Sequence, residues 1–291
     1  MSSVLYDTPG PRARRRTLVG SLVIGTVLLG VITLAVVQLI RRGQFTAQQW
    51  GPLLNPDFDT FRPVWHTLAG GMANTLNAAA WAILFSVVVG TLLAVLRITA
   101  SAWWRWLVVG VIELLRGIPV AITIIFVWQV LPLLGIELSL MWDLVIGLTL
   151  YNSVIIAEIV RAGVDSLPHG QTEAAQSLGL RRAQILAHVQ LPQAFRVMLP
   201  ALISQLVVVL KDTSLGFAIG YAGLVASGNR VHLQLDNPLQ VLFLVAVMFI
   251  VINYSLSKFA TYLENRLTHG KKAPTHDAAE TIVGETESSG A

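Results

Sequence analysis

The sequence predicts an all-α protein, a polytopic membrane bundle of six transmembrane helices, and three observations carry that prediction. Of 291 residues, 54% are hydrophobic and only 12% are charged, whereas an average soluble domain is about 45–50% apolar and about 25% charged. Six apolar stretches approach the roughly 20 residues that cross about 30 Å of hydrocarbon at 1.5 Å per residue. Threaded alternately through a bilayer, they leave fourteen of the 20 Lys and Arg residues on one side. The same composition excludes a disordered chain, and the absence of Cys excludes a disulfide-stapled domain or a Cys-ligated metal centre. The net charge of +4 does not argue for nucleic acid, because in a membrane protein the distribution of Lys and Arg carries the information.

Leu18–Ile40 is the clearest span, 23 residues without a charge. Four arginines precede it (Arg12, Arg14, Arg15 and Arg16), as in a signal peptide. Its length and the ending Gln38-Leu39-Ile40-Arg41-Arg42 lack the short apolar core and small-x-small cleavage site of one. An uncleaved anchor follows, with a twin-arginine signal at Arg15-Arg16 as the alternative. Met72–Leu96 is the second span. Leu107–Leu134 carries Glu113, Arg116 and Pro119, and is either one tilted helix or an interfacial elbow followed by a span from about Ile118. Asp143–Val160 is shorter, with Asn152 inside it and Glu158 near its end. Met198–Ile219 is interrupted by Lys211 and Asp212, and Leu239–Leu256 completes the set.

With the N-terminus inside, the outer segments hold only Arg41, Arg42, Arg62 and Arg230. This is a positive-inside distribution that places both termini in the cytoplasm. The expected organisation is a cytoplasmic N-terminus (1–17), an anchor (18–40), an extracytoplasmic segment (41–69), a core (70–265) and a disordered cytoplasmic tail (266–291).

The loop after the fourth span, residues 161–196, is too polar to cross the membrane and too patterned to be random. Pro168 and Gly170 interrupt the incoming helix, Glu173-Ala174-Ala175 starts another, Gly179 is a C-cap candidate, and a helix restarts at Arg181. Pro192 is expected to limit that helix. Ala174 and Leu178 share one face, as do Ile185 and Val189. Two short amphipathic helices at a sharp turn suit docking into a partner's groove, or else lie on the membrane surface.

Glu-Ala-Ala, three residues, Gly, nine residues, an aliphatic, one residue and Leu-Pro resembles the signature loop of the membrane subunits of ATP-binding cassette (ABC) importers. It is matched at Glu173, Ala174, Ala175, Gly179, Leu191 and Pro192, with Val189 where Ile is commoner. Asn74-Thr75-Leu76, Glu113-Leu114-Leu115-Arg116-Gly117-Ile118-Pro119, Ala157-Glu158-Ile159-Val160-Arg161-Ala162-Gly163 and Leu210-Lys211-Asp212-Thr213-Ser214-Leu215 resemble the polar amino acid permease branch. Ile118 departs from the Thr common at its position. Val4–Pro11 and the anchor are similar to actinobacterial glutamate-uptake permeases. The resemblance implies the type I ABC importer permease fold, an anchor helix plus a five-helix core. It implies that the loop couples to a cytoplasmic ATPase dimer, that a second and related permease subunit completes the pore, and that an extracytoplasmic binding protein delivers substrate, with glutamate the expected one. No G-x-x-x-x-G-K-[ST] phosphate loop occurs. The chain is therefore expected to be non-catalytic and without a cofactor, with ATP and Mg bound by the partner ATPase.

Ionisable residues inside spans are functional candidates by default. Glu113, Arg116, Lys211 and Asp212, with Glu158 near a boundary and the adjoining Thr213, are the substrate-pathway candidates. The alternative is structural: Glu113 pairing with Arg116 at i, i+3, and Lys211 and Asp212 satisfying neighbours. Asn152 is either an interhelical hydrogen-bonding residue or a pathway residue. Gly216-x-x-x-Gly220 is expected to permit close packing. The His residues show no metal-ligand spacing. An ion-gradient-driven secondary transporter accounts for the buried charges but not for the loop, and would usually show internal repeats, which are absent here.

Overall fold

The computed structural model describes residues 10–268, so residues 1–9 and 269–291 lie outside the description, including most of Val4–Pro11 and nearly all of the expected tail. The regular secondary structure among the described residues is entirely helical. The helices are α1 (Pro11–Arg41), α2 (Ala47–Leu54), α3 (Phe61–Thr99), α4 (Ala102–Gly117), α5 (Val120–Leu133) and α6 (Leu140–Asp165). They continue as α7 (His169–Ser177), α8 (Arg182–Ile185), α9 (Leu191–Asp212), α10 (Leu224–Leu235) and α11 (Pro238–Thr268). A π-helical turn, Leu186–Gln190, joins α8 to α9, and a 3₁₀ segment, Thr213–Ile219, follows α9. Five helical runs among the described residues are long and apolar enough to span a membrane, and α4 with α5 makes a sixth, bent by 105°.

That bend decides the third span in favour of the elbow over the tilted helix. Pro119 crowds the backbone of the residue before it, and Ile118 is extended, with φ −95° and ψ 129°. Helix α4 buries only Ile112 and exposes Trp103, Trp104 and Trp106. Indole rings favour the membrane–water boundary, so α4 has the composition of an interfacial arm. Glu113 and Arg116 sit on that arm, both exposed, rather than midway along a straight span.

Helix α6 is the centre of the bundle, packed by α3, α5 and α9. Its Leu144, Val145 and Leu148 meet Ala78 and Ala82 of α3, Ile124 of α5 and Val209 of α9. Lipid tails are as apolar as Leu, so helices associate in a bilayer through close packing. Two glycines supply it. A Cβ added at Gly90 would stand 2.6 Å from the Ser153 carbonyl oxygen, and one at Gly147 would stand 2.7 Å from the Ile124 Cα. Helix α1 by contrast buries no residue, as an all-round apolar anchor held by lipid would. Gly216 does pack closely, its added Cβ falling 2.7 Å from Leu144 Cδ2, but Gly220 is a turn residue at φ +81° with nothing within 4 Å.

Among the described residues two helices, α2 and α10, lie outside both the six expected spans and the 161–196 loop. The segment expected as 41–69 folds into α2 and the start of α3, so the boundary at residue 69 falls inside a helix. Leu53 of α2 is buried against Val64 and Leu68 of α3, Leu224 and Val231 of α10, and Val241 and Val245 of α11. The Trp65 indole donates to the Leu53 carbonyl at 3.0 Å, and Asn237 Nδ2 donates to the Gln49 carbonyl at 3.1 Å. The turn into α10 is pinned to α3: Asn74 Nδ2 donates to Ala222 O at 2.8 Å, the Tyr221 hydroxyl to Asn74 O at 2.8 Å, and the Leu224 N–H to Thr75 Oγ1 at 2.9 Å. The Asn74-Thr75 motif therefore anchors a turn 147 to 149 residues away in sequence.

Candidate functional site

Helix α7 carries Glu173, Ala174 and Ala175. Glu173 and Ala174 are exposed, whereas Ala175 is buried, so the three residues present two to solvent and anchor by the third. The helix ends as the sequence implies. Gly179 takes φ +78°, its N–H donates to Gln176 O at 2.9 Å, and the Leu180 N–H donates to Ala175 O at 3.3 Å. This pair of bonds is the Schellman arrangement that closes a helix through a left-handed residue. Leu178, expected to share an apolar face with Ala174, is instead 81% exposed, leaving a large apolar side chain at the tip of the turn.

After the turn the chain does not stop at Pro192. The helical path runs on from Arg182 to Ile219, because the preceding turn widens. The Leu191 N–H reaches back five residues to Leu186 O, which shifts the hydrogen-bond register ahead of the residue that has no N–H to give. Leu191 is half-buried near Val164, Leu186 and Ala194, beside Val95 and Ile98 of α3. The 161–196 loop is thus continuous with a spanning helix and seated on the ends of α3 and α6.

Side-chain amides tie α7 to the following helix. Gln190 Nε2 donates to Thr172 Oγ1 at 3.1 Å, and Gln193 Nε2 donates to Gln171 Oε1 and, at 2.9 Å, to Val189 O. Sequence reasoning passed over these glutamines, since the only available signal was polar residues flanking Leu191-Pro192. Beneath the loop is a cleft of about 550 Å³ lined by residues that include Asp165, His169, Thr172, Arg182 and Gln190.

At the same end, Glu158 of α6 accepts from Arg97 of α3 and, at 3.0 Å, from Arg161 Nε, and Arg161 also pairs with Asp165. Glu158 therefore joins α3 to α6 below the loop. Among the described residues no ion pair forms between Glu113 and Arg116, so the pairing expected from their i, i+3 spacing is not made, and neither Lys211 nor Asp212 enters an ion pair. Asn152 is fully buried and accepts from Gln205 Nε2 of α9 at 2.7 Å, while its own amide donates to Leu148 O at 2.9 Å. It is an interhelical bond between α6 and α9. Thr213 is buried with its hydroxyl donating to Leu210 O at 2.6 Å. Lys211 is exposed on a cleft of about 600 Å³ whose lining includes Ser214, Phe249, Ile250 and Asn253. Asn253 Nδ2 donates to Phe249 O at 2.7 Å, and its Oδ1 is buried without a partner.

Residues 82–269 match the family described as the inner membrane component of binding-protein-dependent transport systems. The chain belongs to that family. This permease is 40% identical to the glutamate transport system permease protein of Corynebacterium glutamicum over 233 residues, 79% of this chain and 83% of the relative. It is 34% identical to a probable glutamine ABC transporter permease protein of Bacillus subtilis, over 68% of this chain and 92% of the relative. Among solved structures, an amino acid ABC transporter crystallised with histidines matches at TM-score 0.66 and 26% identity, covering 73% of this permease and all of that chain at 100%. The inward-facing methionine transporter shares the fold at TM-score 0.63 and 21% identity, over 71% of this chain and 99% of that one. The permease is thus a non-catalytic membrane subunit of an amino acid ABC importer with the type I fold.

Proposed function

We propose that this permease forms one half of the translocation pathway of a glutamate importer and receives the work of ATP hydrolysis through α7. The observation that carries the reading is the geometry of residues 169–193: an exposed Glu173-Ala174 face, a closed turn at Gly179, and a helix that passes Pro192 and continues into the membrane. A push on α7 reaches the continuous helix that ends in α9 through the Gly179 turn and the Gln190–Thr172 and Gln193–Gln171 bonds, and reaches α3 and α6, which Glu158 joins, where the loop is seated on their ends. In this reading Glu173, Ala174, Ala175, Gly179, Val189, Leu191 and Pro192 form the coupling surface. The partners are a cytoplasmic ATPase dimer that binds ATP and Mg, a related second permease, and an extracytoplasmic binding protein. Both termini are cytoplasmic.

For the substrate, the cleft beside Lys211 supports the reading best. A Lys at this depth is costly when it faces lipid, and such residues face an interior or a water-filled cavity. The second permease would close that cavity. The ammonium of Lys211 suits a substrate carboxylate, and the unpartnered Asn253 Oδ1 suits a substrate ammonium. Arg116, Glu113 and Asp212 are further pathway candidates, with Thr213, Asn152 and Glu158 as the residues that hold the wall. The test is uptake of labelled glutamate in cells that depend on this permease, with wild-type or hydrolysis-dead ATPase. Uptake that persists with the dead ATPase overturns ATP coupling. Unchanged uptake in both Lys211→Ala and Arg116→Ala overturns the assignment of the cationic contacts.

A further inference from the structure

The foot of α1 carries a feature unrelated to the pathway or the ATPase. Helix α1 starts at Pro11, so its arginines sit on rigid helix continuous with the anchor. Arg12, Arg15, Arg16, Val19 and Gly20 line one open groove of about 570 Å³, at the i, i+3, i+4, i+7 and i+8 spacing of a single helix face. All three arginines are exposed, and none has an acidic partner among the described residues. Gly20 has nothing within 4 Å of an added Cβ. The groove is therefore cationic at one end, and at the other apolar and open.

Depth decides what could fill it. The uncharged run begins at Leu18, which at 1.5 Å per residue puts Arg16 about 3 Å and Arg12 about 9 Å below the hydrocarbon edge. A headgroup layer is about 5–8 Å deep on each side of a bilayer. The Arg15 and Arg16 guanidinium groups thus lie among lipid phosphates and Arg12 at the outer edge of that layer, while Val19 and Gly20 lie at the start of the acyl chains. A soluble anion matches the first feature and not the second.

We propose that this groove is a binding site for the phosphate group of an anionic phospholipid, held by Arg12, Arg15 and Arg16 with an acyl chain along Val19 and Gly20. Guanidinium forks pair with phosphate oxygens in two parallel hydrogen bonds. The contact tethers an anchor that makes no buried contact with the rest of the bundle.

The full-length chain, solubilised in neutral detergent, is titrated with phosphatidylglycerol, phosphatidylcholine or inorganic phosphate, and retained lipid is read by native mass spectrometry. Wild type is expected to retain phosphatidylglycerol about tenfold or more over phosphatidylcholine, with millimolar phosphate competing weakly. The R12Q/R15Q/R16Q variant is expected to lose that preference, at about fivefold per arginine. The R12K/R15K/R16K variant keeps the charge that sets topology and is expected to fall about two- to fivefold, because an ammonium lacks the fork. Equal retention of the two lipids by wild type overturns the proposal, as does an undiminished preference in both variants. Phosphate competing as well as lipid identifies a free-anion site and also overturns it. So does a Gln variant that keeps the lipid but loses a co-purifying acidic protein, which assigns the arginines to a protein partner.

Discussion

Replacing Gly179 by Ala isolates the contribution of one backbone conformation to coupling. Gly179 holds φ +78° and closes α7 through two hydrogen bonds, yet an added Cβ would meet nothing within 4 Å. The substitution is therefore conformational and free of any clash. A left-handed conformation costs an L-residue about 1–2 kcal/mol, which lowers the population of the native turn about 5–30-fold relative to its alternatives. Gly179→Asn should recover part of the loss, since Asn tolerates that region better than Ala. The assay is uptake of the proposed substrate, glutamate, normalised to the amount of permease in the membrane, with co-purification of the proposed ATPase partner as a second readout. Uptake should fall for Ala, fall less for Asn, and both proteins should insert normally. Full uptake by Gly179→Ala, or equal loss in both variants, would show that the turn does not set coupling.

Three further outcomes follow from packing and polar contacts. Gly90→Ala places a methyl 2.6 Å from a backbone oxygen and should cost about 1–3 kcal/mol as overpacking, read as a lower melting temperature in detergent. Asn152→Leu and Gln205→Leu should each cost on the order of 0.6–1.7 kcal/mol by breaking the interhelical bond. The double variant should be less destabilised than the sum, and a strictly additive cycle would remove the bond from the account. Glu158→Gln leaves Arg97 and Arg161 without their shared carboxylate; with side chains 19% and 21% exposed across the Arg97 pair, the loss should fall between about 1 kcal/mol for an exposed pair and about 3–5 kcal/mol for a buried one. Thermal unfolding across a salt series checks it, and an unchanged midpoint contradicts the bridging role.

Composition, span length and charge placement were enough to place this protein in a membrane with its helices in order. These are properties of one segment and its solvent: a helix satisfies its own backbone, and transfer to hydrocarbon is summed residue by residue. The turn at Gly179 was legible for a similar reason, because backbone restrictions act on neighbouring residues, whereas the bend at Pro119 was one of two open alternatives until the structure decided it. Even here local logic had a limit, since Pro192 reads as a stop and the structure passes it with a wider turn. Which residues meet was another matter. Glu113 and Arg116 have ideal spacing and do not pair, while Glu158 pairs with Arg97 from another helix. Asn152 finds Gln205, and Leu53, in the stretch expected only as an extracytoplasmic segment, sits in a core with α10 and α11. In a solvent as apolar as the side chains, burial alone does not select a neighbour. Close approach at Gly90 and Gly147 does, and so do a few polar bonds, and those exist only once the helices have been brought together.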